Sequence, residues 1–404
     1  MSVTTVSIGR EAQPPEASLD SGASLIEWLR CMRAERPVWR DSDGSVHVFR
    51  HEDVARIMSD NTTFSTESAI GSDWAGHGPA DDVPDGLAAD GMALQIRRIG
   101  NDLLDDLAFR ERVDILREFA HPFTILASAA QLGVQASDEP QFHAWWQAIL
   151  ADDPETTEGG VTSGRTREQL RDWVVEHLRR VRDPRPHGFL LRLAADADGE
   201  GRHDQAGVDL LTSRLAAGIV SARAFLVNVI MELASRPVIV TRLRADPALI
   251  PAFLEEMMRI RPPFLRFERR PTEAVNVAGT EVEAGTPIYL WWLSANRDER
   301  AFLNPDAVSL HRPKAQRMTL GCGLPPCWSA PLTRLPVEVA VGLVLDRYEG
   351  FRLDAERTVR FHPNRSNIFG PMQLPVQLTP RRESFPTANY PRPRPSKQPW
   401  TAVE

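Results

Sequence analysis

Cysteine is scarce in this chain, with three residues in 404: Cys31, Cys322 and Cys327. So few cannot build a disulfide framework, and they point to a reducing, cytoplasmic setting. Cys322 and Cys327 have no second cysteine pair to join them, and the closest histidine is His311, so structural zinc is a poor fit. No apolar run approaches the eighteen or so uninterrupted residues of a bilayer span, and no membrane crossing is expected. The N-terminus lacks the basic-then-apolar order of a signal peptide. Basic residues are outnumbered, 47 Lys and Arg against 55 Asp and Glu for a net charge of −8, which speaks against a general nucleic-acid surface. No internal repeat and no recurring strand–helix–strand order is found.

What is present is enough apolar material, 42% of residues, for a substantial core. Residues 1–22 read as a flexible arm, 23–380 as a single domain, and the Pro- and Arg-rich residues 381–404 as a disordered tail. Leu25, Ile26, Trp28, Leu29 and Met32 recur at helical spacing before Pro37. "VWRDSDGSVHVFR" reads as a hairpin around an Asp-Ser-Asp-Gly turn, and "HEDVARIMSD" as a short helix. Residues 65–91, rich in Gly, Asp and Pro, read as a long surface loop. From 92 to 260 the pattern is helical, and "DLLTSRLAAGIVSARAFLVNVIMELASRP" is the longest and most apolar segment, hence central. After Pro263 the period changes to two. These elements predict a mainly α domain with small β-sheets, an α+β class.

Two stretches carry chemistry. In "EEMMRIRPP", Glu256 and Arg259 lie one turn apart on one helix face; on spacing alone this is an ordinary surface ion pair. In "TLGCGLPPCWSAPLTR", a turn of Gly321, Gly323 and two prolines runs into an apolar helix bearing Leu332, Leu335, Val339 and Leu343. On spacing alone Cys327 there is a small buried hydrophobe.

The order of these pieces, with "ANRD" at 295–298, "NPD" at 304–306 and "HRP" at 311–313, resembles the bacterial cytochrome P-450 superfamily from about Ser24 to about Leu378. The resemblance implies the cytochrome P-450 fold and haem b, with Cys327 as the axial thiolate and metal ligand. It implies that Gly321 and Gly323 let the turn approach the haem face, and that Arg269 pairs a propionate. Glu256, Arg259 and Arg312 would form the charge network under the haem. Ser221, in "AGIVSA", would stand in the oxygen-activating position.

The same resemblance exposes departures. Leu320 replaces an aromatic residue, Pro325 a propionate-binding His, Ser329 a glycine and Val220 an acid. Pro336 falls inside the helix after the cysteine, where it should introduce a bend. A helix carrying a His/Arg propionate clamp is expected to be missing, with Arg97 and Arg98 the only basic residues near the gap. The expected function is a haem-thiolate monooxygenase oxidising a small or carrier-bound natural-product intermediate. Its oxygen activation would be atypical, driven by a ferredoxin-type donor or by peroxide. The alternative is a haem-free helper that binds and activates a glycosyltransferase.

Overall fold

The computed structural model describes residues 14–18, 20–65, 90–108, 110–132, 134, 138, 140–142, 144–146, 168–173, 175–176, 205–312, 319, 330–364 and 367–381. Helix α1 (Ala23–Glu35) buries Leu25, Trp28, Leu29 and Met32, the stripe its sequence spaces at helical intervals. The hairpin forms as expected. β1 (Val38–Arg40) pairs antiparallel with β2 (Val46–Val48), and Asp43 closes the turn by accepting from the Ser45 N–H and hydroxyl. Helix α2 (His51–Ser59) follows. The hairpin is then extended by distant strands into a five-stranded sheet, in which β2 runs parallel to β8 (Ile288–Leu290), β8 pairs β5 (Phe267–Pro271), and β5 pairs β3 (Phe64–Ser65). β6 (Val275–Val277) and β7 (Thr280–Val282) form a separate ribbon. Most of residues 65–91, the expected surface loop, lie outside the described residues.

The other half is helical. Its helices are α3 (Asp90–Asp105), α4 (His121–Leu132), α5 (Gln205–Ser235), α6 (Pro237–Ala245), α7 (Ile250–Ile260) and α8 (Ala330–Arg347); α4, α6, α7 and α8 pack against α5, and α3 packs on α4 and α8. Within α5, Gly218–Ser235 is apolar and long enough to cross a membrane, yet 89% of it is buried inside the protein, so it is the core helix. α8 is assigned as one helix from Ala330 through Pro336 to Arg347. The expected lost clamp helix falls next to α3. That helix spans 90–105, its Arg97 pairs Asp346 at the surface, and residues 66–89 before it lie outside the described set.

Two short strands were not anticipated, β3 and β4 (Arg112–Asp114). β4 pairs with β12 (Pro375–Pro380), which also pairs with β9 (Tyr348–Leu353). Three residues are too few to show a period, and the partner comes from the other end of the chain. Beside this sheet β10 (Arg360–Phe361) and β11 (Pro371–Gln373) pair, and their connection is moored to α5. Asn228 donates to the Phe369 carbonyl (2.7 Å) and the Arg261 carbonyl (3.3 Å). Gly370 sits at φ 151°, and a Cβ there would lie 2.6 Å from the Asn228 Oδ1. At the other end, Ala17 is buried and its N–H reaches Asn364 (3.1 Å).

Two expectations follow. Asn228 is held by two bonds and cannot retreat, so Gly370→Ala combines backbone strain with a clash. It should lower stability by about 1–3 kcal/mol in urea denaturation. His47 is buried among Trp39, Tyr289 and Trp291, and its Nδ1 accepts from the Trp291 Nε1–H (3.0 Å). Burial first, then the Arg266 charge, pull its pKa down to about 4. The native state therefore holds His47 neutral, and its contribution is lost as pH falls from the unfolded value near 6.5 toward 4, up to about 3 kcal/mol. The urea midpoint of His47→Gln should fall less than that of the unaltered protein between pH 7 and pH 4.5. Equal falls would remove His47 from the account.

Candidate functional site

The pair read from the sequence as an ordinary surface contact is deeply buried. On α7, Arg259 is 1% exposed and grips Glu256 with two parallel bonds, Nε to Oε2 at 2.9 Å and Nη2 to Oε1 at 2.8 Å. Its other donors reach the carbonyls of Asn296 (2.7 Å), Pro305 (2.6 Å) and Ala307 (3.2 Å). Arg312 donates its Nε–H to both Glu256 oxygens, and the Ser309 N–H adds another bond at 3.0 Å. Phe302 lies under both guanidinium groups, 5.0 Å from that of Arg259. Burial works against ionising Glu256. The bonds and charges of Arg259, Ser309 and Arg312 outweigh it and hold the carboxyl below its usual range. The three residues expected to form a network are thus brought together.

Two further residues extend the clamp. The buried Asn296 donates its Nδ2–H to the Thr319 hydroxyl at 2.8 Å, and Arg297 donates to the Ile260 carbonyl at 2.7 Å while pairing with Asp306. The chain from 292 to 312 is therefore tied to α7, and Thr319 is fixed just before the glycine turn. Gly321, Gly323 and Cys327 themselves lie outside the described residues. The chain is described again at Ala330, where α8 starts, three residues after Cys327.

Ser221, on α5, is buried. Its hydroxyl lies 3.0 Å from the Gly218 carbonyl, one turn back, and 3.2 Å from the Thr333 hydroxyl on α8. Thr333 was not picked out from sequence, since nothing local marks it as a partner. Arg269 stands apart on β5. It is buried, its Nε has no partner, and its one hydrogen bond is a long contact to the Glu268 carbonyl at 3.4 Å. The Phe267 ring covers it at 4.5 Å, and burial pulls its pKa down to about 10. No carboxylate faces it among the described residues. A buried cation of this kind fits an anionic group of a bound cofactor, such as a haem propionate.

Breaking the clamp from one side should be severe. Glu256→Gln leaves Arg259 charged and buried without its counter-ion, at a cost of about 3–5 kcal/mol in chemical denaturation. The double variant Glu256→Met/Arg259→Leu should lose less than the sum of the two single changes.

The chain is similar to known proteins over most of its length. The family model described as Cytochrome P450 matches residues 175–329. Cyclomarin C epoxidase CymV of Salinispora arenicola is 29% identical over 90% of this chain and 98% of its own length. Erythromycin C-12 hydroxylase of Saccharopolyspora erythraea is 30% identical over 87% of this chain and 94% of its own. Among solved structures, the open cytochrome P450 EryK from S. erythraea aligns at TM-score 0.79 and 28% identity, covering 94% of this chain and 100% of that one. The ligand-free cytochrome P450 TbtJ1 aligns at TM-score 0.75 and 32% identity, covering 91% and 100%.

Proposed function

Since this chain belongs to the cytochrome P450 family, we propose that it is a haem-thiolate monooxygenase that hydroxylates or epoxidises a small natural-product intermediate. The observation that carries this reading is the buried guanidinium of Arg269, which is held ready for an anion that the described protein does not supply. When bound, haem supplies the activation of dioxygen and the transfer of one oxygen atom to the substrate.

The chain's own residues have separable tasks. Cys327 would provide the thiolate, and the start of α8 three residues on would favour its negative charge through the helix dipole. Gly321 and Gly323, lacking a Cβ, would be the residues of that turn able to lie against a bound haem. Glu256, Arg259 and Arg312, with Asn296 and Thr319, hold the approach to that turn rigid and take no part in the reaction. Arg269 would neutralise a propionate. With Pro325 in place of a histidine, it carries much of the anchoring.

Proton handling is where this chain differs. Val220 cannot hold a proton, so the hydroxyls of Ser221 and Thr333 are the groups able to pass one between α5 and α8. This supports an atypical mode of oxygen activation. The net charge of −8 disfavours long-range attraction of an acidic ferredoxin, which favours a dedicated electron donor or peroxide. The relatives named as an epoxidase of cyclomarin C and a hydroxylase of erythromycin support a natural product as the substrate class.

Purified protein should be red, and its reduced carbon monoxide complex should show a thiolate-type Soret band that Cys327→Ser abolishes. Arg269→Ala should lose haem to a scavenger protein several-fold faster than the unaltered protein. A colourless protein that takes up no added haemin would sink this reading and match the haem-free helper of a glycosyltransferase.

A further inference from the structure

We propose that Pro15–Gly22 is a releasable strap that locks the Phe369–Gly370 turn against α5, so that lifting the strap frees the turn. The segment expected to be a flexible arm makes three hydrogen bonds to a single residue near the other end of the chain. Asn364 donates its backbone N–H to the Glu16 carboxylate (2.8 Å) and its Nδ2–H to the Pro15 carbonyl (2.8 Å), and its Oδ1 accepts the Ala17 N–H (3.1 Å). One amide side chain thus satisfies both a donor and an acceptor of the strap backbone. A second contact is steric. Gly22, the residue before α1, lies at φ 84° against the buried Phe369 ring, and a Cβ there would lie 2.8 Å from the ring Cε2. The strap is also closed on itself and joined to α1. The Gly22 N–H reaches the Ala17 carbonyl (2.9 Å), and Asp20 accepts from the Ser24 N–H (2.8 Å) in the first turn of the helix.

The turn under the strap is held from its other side by the core. The Phe369 carbonyl accepts from Asn228 on α5, and its N–H reaches the Pro263 carbonyl (2.9 Å). Its ring meets Phe361 at 5.9 Å and the Arg261 guanidinium at 5.6 Å. The two sides are unequal. The inner partners are buried or nearly so, whereas Glu16, Ser18 and Asp20 are exposed, and among the described strap residues only Ala17 and Gly22 are buried. Segments with few buried apolar contacts and water-facing hydrogen bonds open locally, at a free energy well below that of global unfolding. The strap is therefore the part that leaves first, and the turn then keeps only its inner bonds. Those bonds end on Asn228, seven residues or about two helical turns along α5 from Ser221. The state of the strap thus reaches the central helix through one turn.

Amide hydrogen exchange on the full-length protein as purified tests this, and it needs no bound haem, so it stands or falls separately from the monooxygenase reading. Asn364→Ala removes two of the three strap bonds. The amides of Ala17–Gly22 and those of Phe369 and Gly370 should then exchange about tenfold faster, while those of α7 keep their rates. Glu16→Ala removes the third bond at an exposed position and leaves the core untouched; it should speed the same two stretches several-fold. Gly22→Ala, which drives a Cβ at the Phe369 ring, should speed both as well. If Asn364→Ala also loosens α7, the Glu16→Ala comparison decides. The proposal is overturned if the strap amides speed up while Phe369 and Gly370 keep their rates, if neither stretch changes, or if α7 accelerates with them in Glu16→Ala.

Discussion

Glu256 is one carboxylate, and an unusual amount of chain is organised by it. Arg259 from its own helix, Arg312 from a segment far along the sequence and the Ser309 N–H all converge on its two oxygens. Taking these charges out of water is expensive, and the arrangement survives because nearly every donor has an acceptor. That completeness confers direction. Arg259 can satisfy its remaining N–H groups only where the carbonyls of Asn296, Pro305 and Ala307 come to it, so the whole 292–312 segment has one way to lie. Through Asn296 the same constraint reaches Thr319.

A different economy governs α5. This helix is apolar enough to be surrounded on all sides, and it touches α4, α7 and α8 as well as strands β9 and β11. Its polar residues are therefore conspicuous. Ser221 satisfies its hydroxyl against Gly218 and Thr333, and Asn228 staples the β10–β11 connection. On β5, Arg269 is a buried cation that the described protein leaves without a counter-ion. Such a group weakens a fold in isolation and is tolerable where a bound anion completes it. The clamp around Glu256 and this arginine are opposite uses of buried charge, one closed on itself and one open to a ligand.

Much of the local structure was legible before the fold was known. The Asp-Ser-Asp-Gly turn between alternating residues gave away the hairpin, because its backbone conformation needs Gly44 at φ 87°. The helical spacing of Leu25, Trp28, Leu29 and Met32 marked α1, and unbroken apolarity marked α5 as central. Glu256 and Arg259 could be paired on paper, since three residues along a helix always face the same way. These are properties of period and turn chemistry, confined to a few consecutive residues.

The same pair shows where such reasoning stops. Spacing places Glu256 beside Arg259 but cannot say whether water surrounds them, and burial is what turns a surface contact worth tenths of a kcal/mol into the anchor of the site. β4, too short to show a period, became a strand only when β12 arrived from the other end of the chain. Thr333 opposite Ser221 and Thr319 under Asn296 are likewise encounters between elements remote in sequence. The sequence by itself determined the helices, the first hairpin, the central segment and the family resemblance, because these follow from local pattern. Only the tertiary structure decided which charges are enclosed, which are neutralised and which wait for a partner, because solvation depends on everything that packs around a group.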